Sequence, residues 1–475
     1  VFNSKMAEYE KKRFFPERAK MISKIDWCIK HYDSTKKHYH SFSWKQFYTV
    51  AERFRLGYNY KKSVEAVNQI CQCLDYVFDA EKPDIVIGEP PAGLFGLVAY
   101  AFCQKRGIPF CGVAESRLPS RIDFYDREST DSRYAKHFES LEPASILPQE
   151  KEFANVFIEK FISHKAIYSS YYLVKIQFKL WEFVVHYAAR IRDLKGVFWR
   201  YFSGRNLFKQ FDYESESIVR RSFTAPFRTI KRNITIPLQR NIFDKINSKD
   251  QYFFFPLQYE PEASTLVLAT YYSNQLATVK NVALALPLPY KLYLKEHPGS
   301  IGSRSSNFYK EIKKIPNAVL LSSKESTPKM IQRAAGIITM TSTVGMEAAM
   351  QGKPVYVLGN VFYAYHPLCT KVTNFEDLES KIRKGLHEII NTQNVPETNL
   401  RFIVSYLRGS VEADISWASL KDDKNDYQMI CREIKKWLTN KAEVSSGEIF
   451  KQTGEELKHL NKEASFMYLT HRDIS

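Results

Sequence analysis

The stretch that decides the fold is GIITMTSTVGMEAAMQGKPVYVLG, residues 336–359. It opens with a short apolar run, continues through a polar turn into a helix-forming segment that stops at a glycine, and ends with a second apolar run. This pattern predicts a buried strand over 336–340, a helix over 342–352 and another buried strand over 353–359. Two buried strands joined by a helix are typical of a parallel sheet.

The residues before this unit repeat the same alternation. Their patterns predict further strands over 252–258, 290–298 and 317–322, and helices over 264–286 and 326–334. This alternation of strands and helices indicates a doubly wound α/β domain, to which we assign residues 249–375.

A second strand–helix–strand unit lies nearer the N-terminus. KPDIVIGE (82–89) and IPFCGVAE (108–115) are predicted to be buried strands, and residues 91–107 a helix between them that ends at a glycine. We therefore predict a second parallel sheet within an N-terminal Rossmann-like domain, residues 1–149. Residues 1–80 have helical spacing, so no opening strand is visible and we interpret this sheet as lacking its first strand.

Between the two domains, residues 150–248 have a different, helical and aromatic-rich character. The part from Arg190 to Lys245 contains 13 Lys and Arg against 5 Asp and Glu, a net charge of +8, with several aromatic residues among the cations. Two interpretations stay open: a solvated helical linker, or a surface that contacts anionic lipid. We do not expect nucleic-acid binding, because no recognisable motif for it is present. Residues 376–475 are predicted to form a helical C-terminal region.

The composition of the whole chain limits the classes of function. The 475 residues carry a formal net charge of +17, which favours an anionic partner. The seven cysteines have neither disulfide nor zinc spacing, and the sequence has no apolar run of 18 residues. We expect no signal peptide. We therefore expect a cytoplasmic protein, with peripheral contact to the inner face of the plasma membrane through residues 190–245. An Asp-x-Asp motif is absent from the sequence, so no metal site is predicted.

Ligands of open α/β sheets bind beyond the carboxyl ends of the strands. In the C-terminal domain these positions carry amides, carboxylates, cations and hydroxyls that form our candidate donor site. They are Gln258, Lys295, His297, Ser342, Thr343 and Glu347. Additional candidates are Glu260, Glu262 and Tyr363, and Arg117 of the N-terminal domain.

Two features of this set favour a phosphorylated ligand. TSTVG (341–345) is a strand-to-helix turn whose backbone N–H groups, together with the hydroxyls of Ser342 and Thr343, suit an anion; the alternative is a plain N-cap. His297 can donate a hydrogen bond to a phosphate, and the alternative is a structural histidine at a strand end. Glu347 could accept bonds from ribose hydroxyls of the same ligand or be a solvated helix position.

The N-terminal domain offers carboxylates instead. Glu89 and Glu115 end the two predicted strands, so we expect them near one another at the carboxyl edge of the sheet. Paired carboxylates suit general acid/base or nucleophilic work at a sugar carbon. The alternatives are a helix cap or an ion pair with Arg117. Glu115 is the stronger candidate, because Pro90 and Pro91 indicate that Glu89 shapes a turn.

Three of these segments resemble a known family. FFFPLQYEPEAST (253–265), LYLKEHPGSIGSR (292–304) and TMTSTVGMEAAMQGKPVYVLGNVFY (339–363) look like bacterial capsule polysaccharide biosynthesis proteins. That family is similar to the retaining β-Kdo transferases, which have the GT-B arrangement of two Rossmann-like domains facing a cleft. The resemblance is weaker over 82–128 and absent from 150–248.

The resemblance implies a CMP-activated donor held in the C-terminal domain. The His-Pro pair at His297 would bind the CMP phosphate, with Ser342 and Thr343 beside it and Gln258 and Glu347 near the nucleotide.

In the N-terminal domain the family carries an acidic residue after the second strand, a position that Glu115 occupies here. Ser116 and Arg117, which come next, depart from the family pattern of a further acid or polar residue and Gly.

These observations predict a metal-independent GT-B glycosyltransferase of capsule or surface polysaccharide assembly. It would transfer a sugar, Kdo or a related ulosonic acid, from a CMP donor to a glycan or glycolipid, with no cofactor besides that donor substrate. The alternatives are another activated donor, such as a UDP-sugar or the CDP-glycerol of teichoic acid polymerases, and a non-catalytic partner in capsule assembly.

Overall fold

The computed structural model describes residues 31–33, 35–36, 60–125, 133–163, 240–260, 262–302, 304–387, 394–412 and 430–436. Most of the predicted basic segment and of the predicted C-terminal tail therefore lies outside the described residues. Every helix within the described ranges is too short or too polar to span a bilayer.

The N-terminal unit has a small sheet covered by helices. Its elements are α1 (Tyr60–Glu81), β1 (Val86–Gly88), α2 (Leu94–Arg106), β2 (Phe110–Glu115) and β3 (Arg121–Tyr125). Two helices follow, α3 (Arg133–Ser140) and α4 (Pro148–Ile162), and their buried residues pack into a core that they share with Tyr252 and Phe254 of the second unit. β1 and β2 are parallel neighbours joined by α2, as predicted. The prediction of a purely parallel sheet is wrong, because β3 pairs antiparallel to β2. Only a short turn separates these two strands, and a parallel crossover needs a dozen or more residues.

The C-terminal unit contains the larger sheet. Its strands are β4 (Tyr252–Pro256), β5 (Lys291–Lys295), β6 (Ala318–Leu321), β7 (Gly336–Thr339), β8 (Val355–Val357) and β9 (Cys369–Lys371). They lie in the order β6-β5-β4-β7-β8-β9, and each neighbouring pair is parallel. The predicted α/β fold class, with a parallel sheet in the C-terminal unit, is confirmed.

The central strand β4 explains why this sheet is covered on both faces. Tyr252 and Phe254 pack into one apolar core, and Phe253 and Phe255 pack into another on the opposite face. All four side chains are almost fully buried. A strand that is apolar on both faces requires a layer of helices on each side.

The helices of this unit differ in part from the sequence-based expectation. They are α5 (Ala263–Leu266), α6 (Gln275–Leu284), α7 (Ser306–Lys313), α8 (Thr327–Arg333), α9 (Val344–Met350) and α10 (Phe375–His387). The single helix predicted over 264–286 is wrong: α5 is one turn long, and α6 begins afresh where the Asn274 side chain accepts a bond from the N–H of Ala277. Asparagine favours such caps over helix interiors. Helix α7 and strand β9 were not predicted.

The last described part of the chain returns to the N-terminal unit. It consists of α11 (Val395–Gly409) and β10 (Val411–Glu412), and β10 pairs antiparallel with β3. The guanidinium of Arg121 donates to the Ser410 hydroxyl and to the carbonyls of Leu407 and Ser410. The C-terminal region is therefore not purely helical, since it supplies the edge strand of the N-terminal sheet.

Candidate active site

The carboxyl ends of β5, β4 and β7 lie side by side and form one rim. β4 is the central strand of the three and pairs with both neighbours. Neighbouring strands are about 5 Å apart, so the loops that follow these strands lie within roughly 10 Å of one another. The sequence-predicted residues of the C-terminal unit follow these strand ends.

A buried ionic network underlies the loop after β5. The Glu296 carboxylate is almost fully buried and accepts from Arg304 Nε at 3.0 Å and from the Tyr309 hydroxyl at 2.7 Å. Arg304 also pairs with Glu260 at 2.9 Å and donates to the carbonyl of Gln258. Burial and the nearby Glu296 carboxylate raise the pKa of Tyr309 far above its usual range. Glu296 and Arg304 were not among the predicted site residues.

The predicted residues after β4, namely Gln258, Glu260 and Glu262, form hydrogen bonds or ion pairs with other groups of the protein. The buried Gln258 donates from its side chain to the carbonyl of Pro256, and its backbone exchanges two bonds with the Gln275 side chain. Burial raises the pKa of Glu260, although Arg304 opposes the rise. Glu262 accepts a bond from the Ser264 hydroxyl at 2.7 Å.

His297 follows Glu296 directly and is exposed, and its backbone N–H donates to the Glu296 carboxylate. Its Nδ1 accepts from the N–H of Gly299 at 3.0 Å, so the neutral ring carries its hydrogen on Nε2. Desolvation and the charges of Arg304 and Lys295 lower the pKa of His297. A Cβ at Gly299 would lie 3.0 Å from the ring of Tyr259, so a larger residue at this position would have to displace that ring slightly. The geometry presents a neutral imidazole that can donate through Nε2.

Lys295 and Glu347 form a second partly buried pair of charges on the rim. The Lys295 ammonium donates to the Thr327 hydroxyl, and burial lowers the pKa of the lysine. Burial raises the pKa of Glu347 to about 7, with Lys295 opposing the rise. The interpretation of Glu347 as a solvated helix position is wrong, because the residue is 7% exposed. A carboxyl with a pKa of about 7 is about half protonated at neutral pH, so it repels a phosphate less than a fixed anion does.

The turn between β7 and α9 uses its own backbone donors. The N–H of Ser342 bonds to the Thr339 hydroxyl, that of Val344 to the Ser342 hydroxyl, and that of Gly345 to the Ser342 carbonyl. These N–H groups are therefore already bonded within the turn, which contradicts the expectation that they face an anion. Thr343 occupies the N-cap position without a side-chain cap bond.

Tyr363, which lies in the loop after β8, stabilises this turn. Its buried hydroxyl donates to the Ser342 carbonyl. A Cβ at Gly345 would lie 2.5 Å from that hydroxyl, which explains the glycine in TSTVG.

The predicted carboxylates of the N-terminal unit follow parallel neighbouring strands. Gly88 lies opposite Gly112 in the register, so Glu89 and Glu115 both leave the sheet at its carboxyl edge, and both are exposed. A Cβ at Gly112 would approach Pro90 at 3.3 Å, which indicates that the chain after Glu89 turns across β2.

A third carboxyl, which sequence reasoning missed, lies beneath the Glu115 turn. Asp123 on β3 is 1% exposed and accepts from the Tyr406 hydroxyl at 2.8 Å. Burial raises its pKa, and the hydrogen bond from Tyr406 and the charge of Arg117 oppose the rise. A charged residue within the apolar strand RIDFY was the available signal. Nothing in the sequence indicated its partner Tyr406.

Aromatic contacts connect the two candidate halves. Tyr406 packs against Phe362 with ring centroids 5.2 Å apart, and Phe362 packs against Tyr363 at 5.3 Å. Tyr363 holds the Ser342 turn, while Tyr406 bonds to the backbone N–H of Arg117 at 2.9 Å. A short chain of contacts thus joins the rim of the large sheet to the turn after Glu115. The described ranges contain no group of three or more metal-ligating side chains.

Comparison with known proteins agrees with the resemblance seen in the sequence. Residues 212–388 match the family model described as capsule polysaccharide biosynthesis protein. No curated protein matches the chain.

Among solved structures, the chain is similar to two KpsC proteins of Thermosulfurimonas dismutans. One is a β-Kdo 2,7 transferase, with 13% identity, coverage of 70% of this chain and 88% of that chain, and a TM-score of 0.32. The other is a β-Kdo 2,4 transferase, with 11% identity, coverage of 68% and 78%, and a TM-score of 0.34.

A UDP-GlcNAc 2-epimerase from Neisseria meningitidis, bound to UDP-GlcNAc, matches at 12% identity, coverage of 74% and 80%, and a TM-score of 0.23. The predicted resemblance to capsule polysaccharide biosynthesis proteins, and the similarity to β-Kdo transferases, are thus confirmed as similarities. At TM-scores below 0.5, the likeness to these solved structures carries no conclusion about activity.

Proposed function

We propose that this protein is a GT-B glycosyltransferase of capsule or surface polysaccharide assembly. It transfers Kdo or a related ulosonic acid from a CMP-activated donor to a glycan or glycolipid acceptor. The observation that carries the proposal is the exposed His297 seated on a buried Glu296–Arg304 network at the carboxyl rim of the parallel sheet. The family match over residues 212–388 supports the assignment to capsule polysaccharide synthesis.

The donor phosphate would lie against the loop after β5. His297 would donate from Nε2 without titrating, because its lowered pKa keeps it neutral at pH 7. Lys295 would supply the positive charge, and the hydroxyl of Thr343 a further donor. Glu347, with a pKa of about 7, would face the ribose hydroxyls in either protonation state. Fixed donors at a leaving phosphate stabilise the charge that develops during transfer.

The acceptor would bind at the carboxyl edge of the N-terminal sheet. Glu115 is the proposed general acid/base or nucleophile, since its side chain is exposed at the end of β2. The turn after it bonds to Tyr406, which packs against Phe362 beside the rim residue Tyr363. Glu89 leaves the same edge and is the second candidate. Transfer would be metal-independent, because Lys295 and His297 would stabilise the leaving phosphate in place of a metal ion. Residues 190–245 would contact anionic lipid where the glycolipid acceptor resides.

The proposal is tested by thermal unfolding with CMP, UDP, GDP and CDP, on the wild-type chain and on His297→Ala. A ligand at about 100 times its Kd stabilises the folded state by about 2.7 kcal/mol, a rise in Tm on the order of 5 °C. We expect this rise with CMP, and we expect His297→Ala to weaken CMP binding roughly 10- to 100-fold, as loss of a charge-assisted hydrogen bond predicts. The exposed His387, at the end of α10, provides the matched control His387→Ala.

A Tm rise with UDP or GDP alone would support a glycosyltransferase that uses a different nucleotide carrier. Glycerol-phosphate transfer from CDP-glycerol releases CMP, so a rise with CDP at least as large as the rise with CMP would favour that donor. The absence of a rise with all four would favour a non-catalytic partner in capsule assembly. An unchanged CMP affinity in His297→Ala would remove the phosphate role of that residue.

A further inference from the structure

We infer that Tyr406 is a positioning residue, whose hydroxyl holds the Glu115–Arg117 turn in the geometry that transfer requires. This inference rests on the proposed function. It concerns α11, which lies outside every segment that carried the predicted site.

All the hydrogen-bonding capacity of the Tyr406 hydroxyl is used at this turn. The hydroxyl donates its single hydrogen to Asp123 at 2.8 Å. It accepts from the backbone N–H of Arg117 at 2.9 Å and from the Ser116 hydroxyl at 3.1 Å. The Ser116 hydroxyl in turn accepts from the N–H of Leu118 at 3.2 Å. A phenol has one donor hydrogen and two acceptor lone pairs, so every position is filled.

The ring that carries this hydroxyl is itself fixed. Tyr406 is fully buried, and it packs against Tyr134 at 4.7 Å and against Phe362 at 5.2 Å between ring centroids. Interior side chains packed this closely do not shift freely. The hydroxyl therefore provides a rigid reference point for the backbone that bonds to it.

The Glu115 side chain needs such a reference because it is exposed. Its backbone ends β2, and the N–H of Ser116 bonds to the carbonyl of Arg121 across the short turn to β3. Between these two points, the bonds from Ser116 and Arg117 to Tyr406 fix where the carboxylate leaves the sheet. A misplacement of 1 Å in a reacting group can reduce the rate about 100-fold.

The same residue also fixes the distance to the donor rim. Tyr406 contacts Phe362, which is followed directly by Tyr363, the residue that bonds to the Ser342 turn. Ser116 and Tyr406 are 290 positions apart in the sequence. The C-terminal helix thus sets the relation between the two halves of the proposed site.

The test compares Tyr406→Phe with the wild-type chain by hydrogen exchange and by transfer kinetics. Tyr406→Phe keeps the ring and removes the hydroxyl, so the amide of Arg117 should exchange at least about 10-fold faster while the amides of α11 keep their protection. In the transfer assay we expect kcat to fall about 10- to 100-fold, with the donor KM within about 2-fold of the wild-type value.

Tyr365→Phe is the matched control. Its hydroxyl donates to the carbonyl of Phe402 in the same core and does not bond to the turn, so exchange at Arg117 and kcat should stay at wild-type values. In Tyr406→Phe the buried Asp123 carboxylate loses its hydrogen-bond donor. The double variant Tyr406→Phe with Asp123→Asn therefore replaces that carboxylate as well. It keeps the test valid if the single variant folds poorly, and the same changes in exchange and kcat are expected.

Unchanged exchange at Arg117 would overturn the inference whatever the activity. Faster exchange with an unchanged kcat, or an equal loss in Tyr365→Phe, would also overturn it. A wild-type chain that transfers no sugar from any donor would instead overturn the proposed function, and with it the catalytic part of this inference, while the exchange data would still decide whether the hydroxyl fixes the turn.

Discussion

The two halves of the candidate site are supported in different ways. On the donor side, Glu296, Arg304, Glu260 and Tyr309 bond to one another within a segment of the chain that runs from Gln258 to Tyr309. On the side of the carboxylates, the turn after Glu115 depends on one neutral hydroxyl that comes from the far end of the chain. The first support is ionic and joins residues up to 46 positions apart, whereas the second is a neutral hydroxyl that bonds to residues 289 and 290 positions away.

This difference has a physical reason. A buried ion pair is costly to desolvate and is tolerated where several hydrogen bonds compensate the charges, as the bonds from Tyr309 to Glu296 and from Arg304 to Gln258 do here. The turn after Glu115 already contains the cation of Arg117 and lies next to the Asp123 carboxylate, so a further fixed charge there would perturb the reactive carboxylate. A tyrosine hydroxyl holds such a turn without adding charge.

The largest expected effect separates the two halves by function. Glu115→Gln removes the proposed acid/base and keeps the side-chain size, so kcat/KM should fall about 1,000-fold or more. The rise in Tm with CMP should stay at its wild-type value, since the donor half is untouched. Steady-state transfer assays and nucleotide titrations of the same preparations measure both quantities.

Glu89→Gln is the comparison variant, because Glu89 leaves the same edge of the sheet. We expect a smaller loss of kcat/KM for this change. An active Glu115→Gln together with an inactive Glu89→Gln would reverse the two assignments.

The next prediction tests whether the donor half depends on its buried charges. Arg304→Met leaves the Glu296 carboxylate buried without its cation, which should lower the free energy of unfolding by about 3–5 kcal/mol. Arg383→Met breaks a pair of similar geometry with Glu379 on the exposed surface of α10, and should cost less than about 1 kcal/mol. Urea unfolding of both variants measures the difference. Equal losses would show that the Glu296–Arg304 network is not a structural base for His297.

The sequence could predict the features that depend on residues close together in the chain. It missed the Glu296–Arg304 network, in which Arg304 contacts Glu260 and Gln258 across 44 and 46 positions. The strands and rim residues of the C-terminal unit follow from apolar runs and the residues after them, and β4, β5, β7 and β8 lie within the predicted ranges. The burial of Glu347 was missed because helix spacing alone does not show what covers a given face. The roles of Asp123 and Tyr406 could not be predicted, because their contact joins residues 283 positions apart.

The smallest of the three effects concerns the attachment of α11 to the C-terminal unit. His366 is buried, its Nδ1 accepts from the N–H of Leu368, and its Nε2 therefore donates to Asn399 on α11. Asn399 donates in turn to the carbonyl of Met350. This chain of bonds requires the neutral ring, and burial lowers the pKa of His366 from its usual 6.5 to about 4.

The sign of the pH dependence follows from that pKa. Between pH 6.5 and 4 the unfolded chain binds a proton at this position and the folded chain does not, so stability is present above pH 6.5 and is lost progressively as the pH falls toward 4. The full loss from this residue is about 3 kcal/mol. His366→Asn has no titrating ring and should unfold with a flatter dependence on pH in urea titrations at pH 7.5, 6.0 and 5.0. Identical slopes for the variant and the wild-type chain would contradict the role of a neutral His366 in holding α11. Slopes that differ would show that the helix supporting the Glu115 turn is anchored to the C-terminal unit through a bond that acid weakens.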